Sequence, residues 1–134
     1  DPNHLRMVPC GFDPAEFAPV DRGEARRLLG LPDDKPIVLQ LGRMVPRKGV
    51  DTAIEGLAEA RRRGADARLV IVGGNSPHPD PACDPELARL MAVADRCGVA
   101  GDTIVAGSRP RDVLQLYYGA ADVFVTCPWY EPFG

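Results

Sequence analysis

Ile37-Val38-Leu39-Gln40-Leu41-Gly42-Arg43-Met44-Val45-Pro46-Arg47-Lys48-Gly49 is the stretch on which the fold turns. Its first five residues form a short, mostly aliphatic run without strict polar–apolar alternation. A strand buried on both faces looks like this, and such strands belong to parallel sheets covered by helices. A glycine ends the run and a loop carrying several cations follows. Val50, Ala53, Ile54, Leu57 and Ala58 then recur at intervals of three and four, as on the apolar face of a helix.

The same grammar repeats on the C-terminal side. Leu69-Val70-Ile71-Val72, Thr103-Ile104-Val105-Ala106 and Asp122-Val123-Phe124-Val125-Thr126 are three further apolar runs. Between them, Arg61-Arg62-Arg63-Gly64 reads as a solvated helix end, with basic residues near the carbonyl pole and a glycine after it. Asp84-Pro85 supplies an N-cap and a proline suited to the first helical position. Leu87, Leu90, Met91 and Ala94 form that helix's apolar stripe, and Gly98 ends it. Pro110 opens a third helix whose Val113, Leu114, Tyr117 and Tyr118 are expected to face inward. On the N-terminal side, Asp21 and Glu24 resemble a capping box, beginning a helix that ends at Gly30. The order β-α-β-α-β-α-β, with no internal repeat or long linker, predicts an α/β fold: a doubly wound, Rossmann-like parallel sheet with right-handed crossovers.

The totals agree with one globular domain. The chain has 134 residues, 45% of them hydrophobic, enough for a real core. A formal net charge of -3 argues against nucleic acid as a partner, because nucleic-acid binders normally present a strongly basic face. No apolar run approaches the roughly 20 residues that cross a bilayer, and no signal peptide is visible. The sequence begins at Asp1 rather than Met and so reads as part of something longer. Cys10, Cys83, Cys97 and Cys127 are scattered, without the close ligand pairs that zinc requires. They read as reduced thiols of a cytoplasmic protein. His4 and His78 fall in loop-like surroundings.

In doubly wound sheets, ligands bind beyond the carboxyl ends of the strands. The segments after the four runs are Gly42 to Gly49, Gly73-Gly74-Asn75-Ser76-Pro77, Gly107-Ser108-Arg109-Pro110, and Cys127-Pro128-Trp129-Tyr130-Glu131-Pro132-Phe133-Gly134. Strand-to-helix loops are often glycine-rich, so the charges carry the argument. Arg43 and Lys48 flank a turn that leads into a helix, where two cations and a helix N-terminus can converge on an anion. A surface salt bridge is the alternative reading of that pair. The loop is neither a Walker A loop nor the G-x-G-x-x-G fingerprint of a Rossmann dehydrogenase.

Gly42-Arg43 through Lys48-Gly49, Gly73-Gly74, Ala120-Ala121-Asp122-Val123-Phe124-Val125 and Glu131-Pro132-Phe133-Gly134 together resemble the C-terminal domain of retaining glycosyltransferases of the two-Rossmann-domain (GT-B) type, family 4 or group 1. Val8-Pro9-Cys10-Gly11-Phe12-Asp13, with Phe17, is similar to the family's entry into that domain, Cys10 standing where Asn is more usual. The resemblance spans nearly the whole chain.

This resemblance implies a function for each loop. The chain would be a partial donor-binding domain, residues 1–134, incomplete at its C-terminal end and lacking the N-terminal acceptor domain. The enzyme would transfer a sugar from a nucleoside-diphosphate sugar to an acceptor with retention. Gly42, Arg43 and Lys48 would hold the diphosphate, Arg43 and Lys48 also acting catalytically by neutralising the leaving group. Glu131, first acid of the family's paired-glutamate motif, would lie beside the transferred sugar. Phe133 and Gly134 would help to hold that sugar through backbone N–H groups. Ser108, Arg109 and Pro110 would meet the nucleobase. Trp129 and Tyr130 are expected to pack beneath the last loop, and Asp122 to make structural hydrogen bonds at a strand start. No metal and no cofactor is expected; a phosphorylase-like use of pyridoxal phosphate lacks its lysine context. A non-enzymatic module of the same fold is disfavoured because Lys48 and Glu131 are both present. The acceptor, whether sugar, lipid or small molecule, would be chosen by the absent domain, so its identity, the sugar and the base stay open here. The fragment alone is expected to be inactive and to self-associate through its unfinished sheet edge. The complete protein is expected in the cytoplasm or peripherally at the membrane.

Overall fold

A computed structural model describes residue 6 and residues 8–131. Four parallel strands, β1 (Ile37–Leu41), β2 (Arg68–Val72), β3 (Thr103–Gly107) and β4 (Val123–Val125), lie in the order β3-β2-β1-β4. The helices are α1 (Arg22–Leu29), α2 (Val50–Arg62), α3 (Pro85–Arg96) and α4 (Leu114–Ala120). Each strand-to-strand connection carries one of α2, α3 and α4, as parallel pairing requires.

The helix ends form where the sequence places their caps. Asp21 accepts from the Glu24 N–H at 2.9 Å, and Gly30 closes α1 in the left-handed conformation. The Asp84 carboxylate accepts from the Glu86 and Leu87 N–H groups at 3.0 and 3.1 Å, with Pro85 at the first helical position.

Side chains alternate across the sheet, and each face has its own core. Leu69 and Ile71 meet Val50, Ile54 and Leu57 of α2 and Leu87, Leu90, Val93 and Ala94 of α3. Ile37, Leu39, Val70 and Val72 form the other core with Tyr117 of α4 and with Leu29 and Leu31. The helices α2 and α3 therefore cover one face and α4 the opposite one. The chain moves outward from β1 to β2 and β3, then returns to pair β4 with the other side of β1. The strand order reverses between β1 and β4, which is where a sheet of this kind opens a crevice for ligand.

Several expectations are corrected. Burial on both faces holds for β1 and β2 but not for the outer strands: Val123 and Phe124 of β4 are 54% and 48% exposed. Val93 is buried in the α3 stripe, whereas Met91 is only partly so. Tyr117 is buried, but Tyr118 is exposed, packing edge-on against Phe17 and Phe124. Trp129 and Tyr130 do not pack beneath their loop; they are 79% and 68% exposed.

Asp122 has the structural role expected of it. Its carboxylate accepts from the Ile37 N–H at 2.7 Å and from the Arg26 guanidinium at 2.6 Å, with Arg22 at 2.5 Å. Partial burial alone would raise the Asp122 carboxyl, but the Ile37 N–H and the two arginines hold it below the usual carboxylate range. Arg26 is itself buried and also donates to the Ala120 carbonyl at 2.9 Å. One buried cation thus ties α1 to the strand-entry end of both β1 and β4.

Candidate functional site

The loops after β1 and β4 meet beyond the carboxyl ends of those strands. The first contains a short 3-10 turn, Pro46–Lys48, closed by Gly49 with φ 63°. A Cβ on Gly49 would overlap the Cys127 carbonyl oxygen, so the absence of a side chain lets the two loops touch. The Trp129 N–H donates to the Arg47 carbonyl at 2.8 Å, and the Arg47 guanidinium donates to the Tyr130 carbonyl at 3.1 Å. Lys48 is ion-paired with Glu131, both side chains about a quarter exposed or less. Two residues singled out by the sequence, one in each loop, are thereby brought into direct contact.

Arg43 has a different setting. It is exposed and, among the described residues, its guanidinium makes no hydrogen bond or ion pair. It borders a depression of about 170 Å³ lined also by Gly42, Gly73, Gly74, Ser108 and Arg109. A Cβ on Gly73, whose φ is 147°, would overlap the Gly42 carbonyl oxygen, so the loops after β1 and β2 can lie against each other. The salt-bridge alternative thus holds for Lys48, which pairs with Glu131, and not for Arg43, which forms no ion pair among the described residues. Charges at the opposite edge of the sheet behave otherwise. There Lys35 pairs with Asp66 and Asp102, and Arg61 pairs with Asp102. Lys35, hydrogen-bonded to Asp66, holds that carboxyl below its usual range.

The third loop joins this edge through its backbone. The Ser108 N–H donates to the Ser76 carbonyl at 2.8 Å, and the Arg109 guanidinium donates to the Tyr117 hydroxyl at 3.1 Å. Pro110 lies at the exposed start of the following turn, outside the depression. Pro132, Phe133 and Gly134 lie outside the described residues.

A larger hollow of about 540 Å³, lined by Phe12, Phe17, Val20 and Tyr118 among others, shares no residue with these loops and offers no cation or carboxylate. Another of about 370 Å³ lies beside the β2 loop and includes His78, Asp80, Cys83 and Asp84. The Cys83 thiol donates to Asp80 at 3.3 Å, and that neighbouring carboxylate raises its pKa. No group of three or more His, Cys, Asp or Glu side chains able to hold a metal occurs among the described residues. The cysteines among them are free.

Two polar residues are not singled out by the sequence. Arg47 was passed over between its flanking cations, although its position in a charged loop was a signal. Gln40, polar in an apolar run, is 2% exposed on the central strand with its Oε1 unpartnered among the described residues.

Fold and loop placement define an α/β domain that carries Arg43, Lys48 and Glu131 at a topological switch point. The chain belongs to the family of group 1 glycosyl transferases, whose sequence profile matches residues 21–134. It is 42% identical over 138 aligned positions to a D-inositol 3-phosphate glycosyltransferase of Acidothermus cellulolyticus, covering 100% of this chain and 30% of that protein. It is 38% identical over 122 positions to a GDP-mannose-dependent alpha-(1-6)-phosphatidylinositol monomannoside mannosyltransferase of Mycolicibacterium smegmatis, covering 90% and 29%. Among solved structures it resembles sucrose-phosphate synthase from Thermosynechococcus elongatus, with a TM-score of 0.75 and 36% identity over 96% of this chain and 30% of that one. The chain therefore spans about 30% of the relatives' length.

Proposed function

We propose that the protein carrying this chain transfers a sugar from a nucleoside-diphosphate sugar to an acceptor, and that this chain supplies the donor site. The observation that carries the reading is the meeting of Lys48 and Glu131 at the β1–β4 switch point, with an unpaired Arg43 in the same β1 loop. A diphosphate set along the β1 loop would accept hydrogen bonds from Arg43 and Lys48, with the transferred sugar next to Glu131.

As the bond from the anomeric carbon to the diphosphate oxygen breaks, negative charge grows on the phosphate and positive charge on the sugar ring. Arg43 and Lys48 oppose the first and Glu131 the second, through charges already in place before reaction. The acceptor hydroxyl enters on the face the leaving group vacates and passes its proton to the departing phosphate oxygen, so the anomeric configuration is retained. Charge neutralisation falls to the two cations rather than to a metal, so transfer should persist in chelator. Ser108 and Arg109, which line the depression beside Arg43, would meet the base. Acceptors to test first are inositol phosphates and inositol phospholipids, because two relatives are named for them. Among the described residues no helix is long and apolar enough to cross a membrane.

Calorimetric titration of the full-length protein with UDP, GDP and ADP and their sugars tests the reading. One base should be preferred, and Arg43→Ala and Lys48→Ala should each weaken binding by about tenfold or more, the worth of a charge-assisted hydrogen bond to phosphate. Equal binding of every nucleotide by wild type and both variants would defeat it.

A further inference from the structure

We infer that Arg47 is the positioning residue that sets Glu131 in place, a role that rests on the function proposed above. The segment leading to Glu131 is held by the β1 loop at several points, of which Arg47 supplies two. The strand before it, β4, is only three residues long. The two large side chains that precede Glu131, Trp129 and Tyr130, are mostly exposed, so their burial does not anchor the loop. Arg47 instead engages both of these residues through the backbone. Its carbonyl accepts from the Trp129 N–H at 2.8 Å, and its guanidinium donates to the Tyr130 carbonyl at 3.1 Å. These contacts hold the N–H of the Pro128–Trp129 peptide and the carbonyl of the Tyr130–Glu131 peptide, the latter joined directly to the acid.

The character of the side chain matters as well. Arg47 forms no ion pair among the described residues, and its charge is spent on a neutral carbonyl. A hydrogen bond from an ionised donor is stronger than one between neutral groups. The donor also sits one residue before Lys48, whose ammonium holds Glu131 itself. Neighbouring residues of one short turn thus grip the acid-bearing loop by backbone and by side chain. Arg47 acts through the loop and does not contact phosphate.

Steady-state kinetics and nucleotide titration on the full-length protein separate this role from its alternatives. Arg47→Met keeps the length of the side chain and removes its donors. It should lower kcat on the order of 100-fold, the cost of misplacing a catalytic group by about an ångström. Affinity for the free nucleoside diphosphate should not fall, because Arg43 and Lys48 keep their places; a Glu131 loosened from Lys48 would raise it by at most the few-fold worth of a partly exposed ion pair. Arg47→Lys, which restores a charged donor, should recover part of the lost kcat. A wild-type kcat in Arg47→Met overturns the inference, as does a loss of nucleoside diphosphate affinity equal to that of Arg43→Ala, which would make Arg47 a phosphate ligand. Should Arg47→Met fail to fold, Arg47→Leu, which also lacks a donor, takes its place under the same criteria. A wild type that turns over no nucleotide sugar defeats the proposed function and this inference with it; an active wild type with an indifferent Arg47 defeats the inference alone.

Discussion

The Lys48 ammonium and the Glu131 carboxylate, 83 residues apart in sequence, form an ion pair where the loops after β1 and β4 meet. In the proposed reaction one partner faces the diphosphate and the other the sugar. Donor binding must therefore draw part of Lys48's charge away from Glu131 toward phosphate.

Glu131→Gln tests that competition. Removing the carboxylate frees Lys48, so nucleoside diphosphate should bind about two- to fivefold tighter, in keeping with a partly exposed ion pair worth up to about 1 kcal/mol. Sugar transfer should nevertheless fall by at least about 100-fold, because opposing charge at the sugar ring is lost. Titration calorimetry alongside a transfer assay checks both; weaker nucleotide binding would contradict the arrangement.

Asp122→Asn should destabilise the fold by about 2–3 kcal/mol in urea denaturation. The buried Arg26 would lose its carboxylate partner, although the Ala120 and Lys35 carbonyls still accept from it, which keeps the loss at the low end for a broken buried pair. Because the folded-state pKa of Asp122 lies below its unfolded value of about 3.9, its contribution is complete above that value. It is lost as pH falls through the lower folded-state value. Wild-type stability should accordingly drop in strong acid, and Asp122→Asn should flatten that drop.

Gly49→Ala should separate the two loops. A side chain in the left-handed conformation costs about 1–2 kcal/mol, and here it would also collide with the Cys127 carbonyl. A lower Tm together with weakened nucleotide binding is expected. An Ala variant with wild-type melting and binding would show that the loops need no such contact.

Much of this was legible from residue order. The caps at Asp21, Asp84 and Gly30 act locally, through hydrogen bonds spanning two to five residues, so a one-dimensional reading finds them. Arg43, Lys48 and Glu131 stood out because charges directly after apolar runs land on a sheet's carboxyl edge whatever the strand order. Tyr118, Trp129 and Tyr130 were misread because their large apolar rings argue for burial, while burial depends on what lies opposite in space. The part played by Arg47 was hidden for a related reason: its partners are backbone groups, which leave no trace in side-chain composition.

The sequence by itself determined four apolar runs, the helices between them and the residue types of each loop, because apolar period and turn residues act over a few positions. Only the tertiary structure decided that β4 pairs with β1 and not with β3. That choice comes from burying opposite faces of one sheet beneath α2 and α3 on one side and α4 on the other. It is what carries Glu131 across the chain to Lys48, and no local pattern encodes a contact made by two separate cores.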